Sequence, residues 1–184
     1  MRGLLRAVAT VATVVAATAL VATASYAAQA TLSCPATAQA GQQFTIEIAI
    51  DVGTTPLGAY SIAVTYDPAV LTLAAVTGGN TAEFAGKPTT NKPTPGTANL
   101  SALQSASLTS PTGVVSIAML TFDIVTTASA TTAVSLAVKN LFDTNSMPIL
   151  PATATGCSVS VTGAGPKNKR RGPGRPPGSK HNAA

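Results

Sequence analysis

Six carboxylates, one imidazole and two thiols are the side chains of this 184-residue chain whose types suit chemistry. A paired general acid and base needs two carboxyls facing one cleft. Glu47 and Asp51 fall instead on the polar face of a strand pattern, and Asp67, directly before Pro68, reads as a turn residue. His181 stands in a tail with nothing to pack on, so a Ser–His–Asp device has no histidine to build with. Cys34 and Cys157 are far apart and make no zinc cluster. Asp143-Thr144-Asn145 has a trace of calcium-loop spacing but lacks the glycine and the distal glutamate, so a turn is expected there. The chain therefore reads as a non-enzyme, with no metal site and no cofactor.

The thiols gain meaning from the N-terminus. Arg2 and Arg6 precede an uncharged run of Ala, Val, Leu and Thr over residues 7–24, and two small-x-small steps follow, Ser25-Tyr26-Ala27 and Ala28-Gln29-Ala30. That order is an export signal, assigned to residues 1–27, with no membrane span after its removal. In an oxidising compartment Cys34 and Cys157 are expected to pair, tying the first strand to the last.

Net charge, +5 overall, divides by position. The ends are basic. Between them Lys87, Lys92 and Lys139 face six acids, so the body is mildly acidic.

Residues 31–163 show a β pattern throughout. Phe44, Ile46, Ile48 and Ile50 alternate with polar or small residues, as do Tyr60, Ile62, Val64 and Tyr66. Val70 to Val76 reads as a strand, and Val114 to Val125 as a long one with Val115, Ile117, Met119 and Phe122 buried. Val134, Leu136 and Val138 alternate again, then Val159 and Val161, and Leu100 and Leu103 mark a weaker segment. Turn chemistry separates these runs at Gly53, Asp67-Pro68, Gly78-Gly79-Asn80, Pro95-Gly96 and Pro111 to Gly113. The proline-rich stretch from Ala85 to Pro95 is expected to be an exposed loop. Eight or nine short strands in one such body indicate an all-β antiparallel sandwich or jelly roll.

Residues 58–71, which carry Tyr66-Asp67-Pro68-Ala69-Val70-Leu71, resemble the cohesin pattern, in which a strand ends in Tyr-Asp-Pro and x-Val-Leu opens the next. Residues 112–124, opening on Gly113-Val114, are similar to a later cohesin strand, and Ala40-Gly41-Gln42-Gln43-Phe44 to the entry of the second. The resemblance implies a nine-stranded antiparallel jelly-roll sandwich and a dockerin-type partner module, itself calcium-bearing, in extracellular assemblies linked to polysaccharide breakdown. The cysteine pair and the prolines near position 90 depart from the pattern. With Tyr60, Ile62, Val64 and Tyr66 inward, Ser61, Ala63 and Thr65 point outward. The resemblance makes theirs the docking face, with Asn99 and Ser101 on a neighbouring strand. Two other readings remain open: a carbohydrate-binding module of the same fold, and a structural envelope or adhesion protein. The first is poorly supplied with platform aromatics, since there is no Trp, most of Phe44, Tyr60, Tyr66, Phe84, Phe122 and Phe142 sit at core-phase positions, and only Phe84 lacks a clear strand phase.

Residues 164–184 form a basic Pro/Gly-rich tail that is expected to be disordered, carrying Lys167, Lys169, Arg170, Arg171, Arg175 and Lys180. Gly174-Arg175-Pro176 resembles an AT-hook, with Pro173 where the usual core has its first arginine. An exported chain does not meet the chromosome, so the tail is expected to be inert or solubilising, with a tether to anionic surface polymer as the second reading and nucleic acid as the last.

Overall fold

The computed structural model describes residues 26–104 and 111–164. The apolar run over residues 7–24, where the export signal is expected, and the tail residues Lys167 to Lys180 lie outside the described residues. Eleven strands follow in chain order: β1 (Ala28–Ser33), β2 (Thr37–Gln39), β3 (Gln43–Asp51), β4 (Leu57–Tyr66), β5 (Leu71–Gly78), β6 (Thr89–Asn91), β7 (Thr97–Leu103), β8 (Val114–Ile124), β9 (Ala130–Asp143), β10 (Ala152–Thr155) and β11 (Cys157–Thr162). Two of them, β2 and β6, have three residues each, which leaves nine longer strands. The first strand opens at Ala28, three residues before the expected start of the body.

One sheet has the order β10-β1-β3-β8-β5 and the other β2-β11-β9-β4-β7-β6. All pairings are antiparallel except the two outermost pairs β1–β10 and β2–β11. The chain leaves the first sheet after β1 and again after β10, and enters the same side of the other sheet each time, where β2 is the edge strand and β11 its neighbour. Cys34 lies in the first passage and Cys157 at the end of the second, joined as a disulfide with Cα atoms 6.2 Å apart. Gly156 makes the second passage possible, because a Cβ there would sit 2.5 Å from the Val134 carbonyl oxygen.

The inner faces close on a single core. Ile46, Ile48 and Ile50 of β3 are fully buried, as are Ile62 and Val64 of β4. This is the alternation expected from their spacing. Phe44 and Tyr66 pack on Phe122, with ring centroids 5.8 and 5.0 Å away. Phe84, the aromatic without a strand phase, is carried inward by a 3-10 turn (Ala82–Phe84) and meets Tyr60 at 5.5 Å.

Met119 corrects the sequence reading. It is only half-buried, and Leu120 takes the buried position. Register against β3 runs Ile48↔Ala118 and then Ala49↔Ser116, so Ile117 is an extra residue. A bulge of this kind reverses the phase of every later side chain. The Ala85–Pro95 stretch also differs from a plain loop: it holds β6, which pairs with β7. Just beyond β6, the Lys92 ammonium donates to the Leu73 carbonyl at 2.9 Å, covering part of the edge strand β5.

The Tyr60 hydroxyl crosses the core to donate to the Ile117 carbonyl at 3.1 Å. Burial raises its phenol pKa well above the ordinary value. The folded protein thus holds this proton to higher pH than the unfolded chain, which releases it near about pH 10. The associated stability is complete below that pH and declines as pH climbs towards the raised native value. Tyr60→Phe is expected to lower stability by about 1 kcal/mol at neutral pH, by orphaning the carbonyl. It should also flatten the loss of stability between neutrality and about pH 11. Urea titrations of both proteins at the two pH values measure this.

Candidate partner-binding face

The outward side of the six-stranded sheet is built by strict alternation on β4 and β7. Register places Ser61 opposite Ser101, Ala63 opposite Asn99 and Thr65 opposite Thr97. On the other flank of β4, Ser61 faces Asn140, Ala63 faces Ala137 and Thr65 faces Ser135. On β6, Thr89 aligns with Ser101 and Asn91 with Asn99. The five residues singled out from sequence, Ser61, Ala63, Thr65, Asn99 and Ser101, therefore occupy adjoining positions on one face.

One end of that face is apolar. Ala59 is flanked by Leu103 on β7 and Phe142 on β9. Leu103 is 76% exposed and Phe142 36%. Phe142 also bridges to Pro148 in the segment returning along β9. Ile149 is buried there and Leu150 is 71% exposed. The result is an apolar row across three strands, beside a shallow hollow of about 450 Å³ whose lining includes Ser61, Thr89, Ser101, Asn140, Leu103 and Phe142. From the Thr97–Thr65–Ser135 row to the Leu103–Ala59–Phe142 row the only charged residue is Lys139.

The apolar row was hidden in the sequence. Continuing Val134, Leu136 and Val138 by twos would bury Phe142. Ser61 pairs with Asn140 but Ile62 pairs with Val138, which makes Lys139 a bulge residue. Beyond it Leu141 is buried and Phe142 turns outward. Gly58 is the counterpart irregularity on β4, where a Cβ would collide with the Asp143 carbonyl.

The acids serve the framework. Glu47 accepts from the Ser116 hydroxyl and, at 3.0 Å, from the Asn80 amide. Together they fasten the turn after β5 to β3 and β8. Asp67 caps its own turn through the Ala69 N–H at 2.8 Å. Asp143 accepts the Asn145 and Met147 N–H groups, each at 2.8 Å, so this segment is a side-chain-capped turn. Asp123 accepts from the Gln43 amide. The Tyr26 phenol donates to Asp51, which also accepts the Gly53 N–H. These bonds, the phenol first, hold the Asp51 carboxyl below its usual range and raise the phenol. Among the described residues no three His, Cys, Asp or Glu gather as metal ligands, and no helix is long and apolar enough to cross a membrane.

Fold and face together make a two-layer β-sandwich with one broad, almost uncharged outward sheet surface. Residues 28–161 match the cohesin domain model, and the chain belongs to the cohesin domain family of protein-binding modules. Among solved structures it resembles the type I cohesin–dockerin complex of Clostridium thermocellum at TM-score 0.63 and 16% identity, covering 77% of this chain and 97% of that one. The sixth cohesin of scaffoldin B from Acetivibrio cellulolyticus, solved with a dockerin, gives 0.61 and 16%, covering 76% and 100%. The cohesin module of a family 33 glycoside hydrolase from Clostridium perfringens gives 0.62 and 12%, covering 75% and 98%. No curated protein sequence matches this chain.

Proposed function

We propose that this chain is an exported docking module that presents the outward face of β6, β7, β4 and β9 to a dockerin-like module of another extracellular protein. The observation that carries the reading is a broad face of hydroxyl, amide and methyl groups, ending in the Leu103–Ala59–Phe142 row. Such a surface avoids the largest desolvation cost, that of burying unpaired charge, and its hydroxyls and amides offer hydrogen bonds to a partner. Exposed Leu and Phe at one end supply the anchor around which an interface concentrates its energy. Solved relatives in complex with dockerins support the same choice of partner class.

Direct sugar binding is the weaker reading, because Phe84 and Phe122 are core residues and Phe142 is a single half-exposed ring. A role in polysaccharide breakdown would come from the partner that the module holds.

The test is capture of exported proteins from the source organism on the purified module, with and without a calcium chelator. A retained protein carrying a dockerin-like module, released by the chelator, is the expected result. Retention only on insoluble polysaccharide, or no calcium-dependent partner, would sink the proposal.

A further inference from the structure

We infer that the partner module carries a carboxylate side chain that pairs with Lys139, and that this contact sets the charge of the partner the face accepts. The inference rests on the docking reading above and names the chemistry the partner must bring. Lys139 is the inserted residue of the β9 bulge: Ser61 pairs with Asn140 and Ile62 with Val138, so no residue of β4 is its register partner. The insertion leaves two exposed residues in succession, Lys139 and Asn140, before Leu141 turns inward and Phe142 outward. A cation is thereby set beside Asn140, at the β9 margin of a face that holds no other charge between its two end rows.

Lys139 also lines a hollow of about 180 Å³ between the second half of β9 and the segment Pro148 to Ala152. Its other walls include Val138, Phe142, Pro148 and Leu150 and, among the described residues, no acid. Asn140 and Phe142 line both this hollow and the larger one beside Ser61 and Ser101, so the two share a wall. The one acid of β9, Asp143, turns its carboxylate onto the Asn145 and Met147 N–H groups. The framework therefore supplies Lys139 with no carboxylate among the described residues. A partner that covers this margin strips water from the ammonium, and a buried charge left unpaired is costly. A partner carboxylate offsets that cost, next to an apolar side chain seated against Phe142. A partner cation at the same place is repelled, which is discrimination by mismatch. The hydroxyls and amides of the rest of the face both donate and accept, so they do not select by sign.

The test captures exported proteins of the source organism on the purified wild-type protein, Lys139→Met and Lys139→Glu, and measures affinity for the retained module. A carbodiimide joins an ammonium to a carboxylate only where the two are in contact. In the wild-type complex it is expected to link Lys139 to one Asp or Glu of the partner. Lys139→Met should weaken binding about threefold, and Lys139→Glu about 30-fold. Replacing the linked partner carboxylate with lysine should restore binding to Lys139→Glu and not to the wild type. The side chain is exposed, so both variants should unfold at the wild-type temperature. Equal affinity in all three proteins, with binding still weakened in Phe142→Ser, overturns the pairing and keeps the docking face. A link that forms only at other lysines also overturns the pairing. No module retained even by the wild type overturns both readings.

Discussion

Replacing both Cys34 and Cys157 with alanine is expected to lower the unfolding free energy by about 4–5 kcal/mol, the chain-entropy value for a loop of this length. The bridge closes a sequence separation of 123 residues, nearly the whole folded body. It also joins the two places where the chain passes between sheets, at β1–β2 and β10–β11. Both outermost pairs depend on those passages, so reduction should loosen β2 and β10 before the central strands. A typical domain has only about 5–15 kcal/mol in total, which makes the loss a large share. Guanidinium titrations of the oxidised protein and the double variant measure it. Hydrogen exchange should show β10 and β2 losing protection first. A change under about 1 kcal/mol would mean that the packed sheets alone set the stability.

The second large effect is at the face. Ala63 lies between Asn99 and Ala137 at its centre and is 9% exposed. Ala63→Arg places a long cation where a docked partner must make flat contact, and leaves its charge desolvated and unpaired. Loss of partner affinity by about 100-fold or more is expected, since an uncompensated buried charge costs several kcal/mol. Phe142→Ser should cost about 2 kcal/mol, or roughly 30-fold, by removing the apolar anchor. Neither side chain fills the core, so thermal unfolding should change little. Calorimetric titration with the captured partner module reads both values, and unchanged affinity in both variants would place docking elsewhere.

Period-two alternation is a reliable guide wherever a strand keeps its register. It led directly to the inward set on β3 and β4, and thus to Ser61, Ala63 and Thr65 on the outward side. The Tyr-Asp-Pro turn was equally legible, because Asp67 caps it through its own side chain. The failures trace to bulges. Ile117 and Lys139 each add one residue that no hydropathy pattern marks, and past each of them inside and outside exchange. Met119 was assigned to the core for that reason, and the outward Phe142 went unseen. The short strand β6 was masked by its flanking prolines, Pro88 and Pro93, which a three-residue edge strand tolerates. The sheet-switching passages were out of reach too. Their parallel edge pairs join residues more than a hundred positions apart, as Ala28 and Ala152 do.

The central claim is that this module is gripped by a protein partner through the β6-β7-β4-β9 face. Its most direct test is one calorimetric comparison, in calcium, of the captured dockerin-like module titrated into the wild-type protein and into Ala63→Arg. The account predicts saturable one-to-one binding to the wild type, abolished by chelator, and no measurable heat from the folded variant. Equal affinity for the two proteins would contradict it.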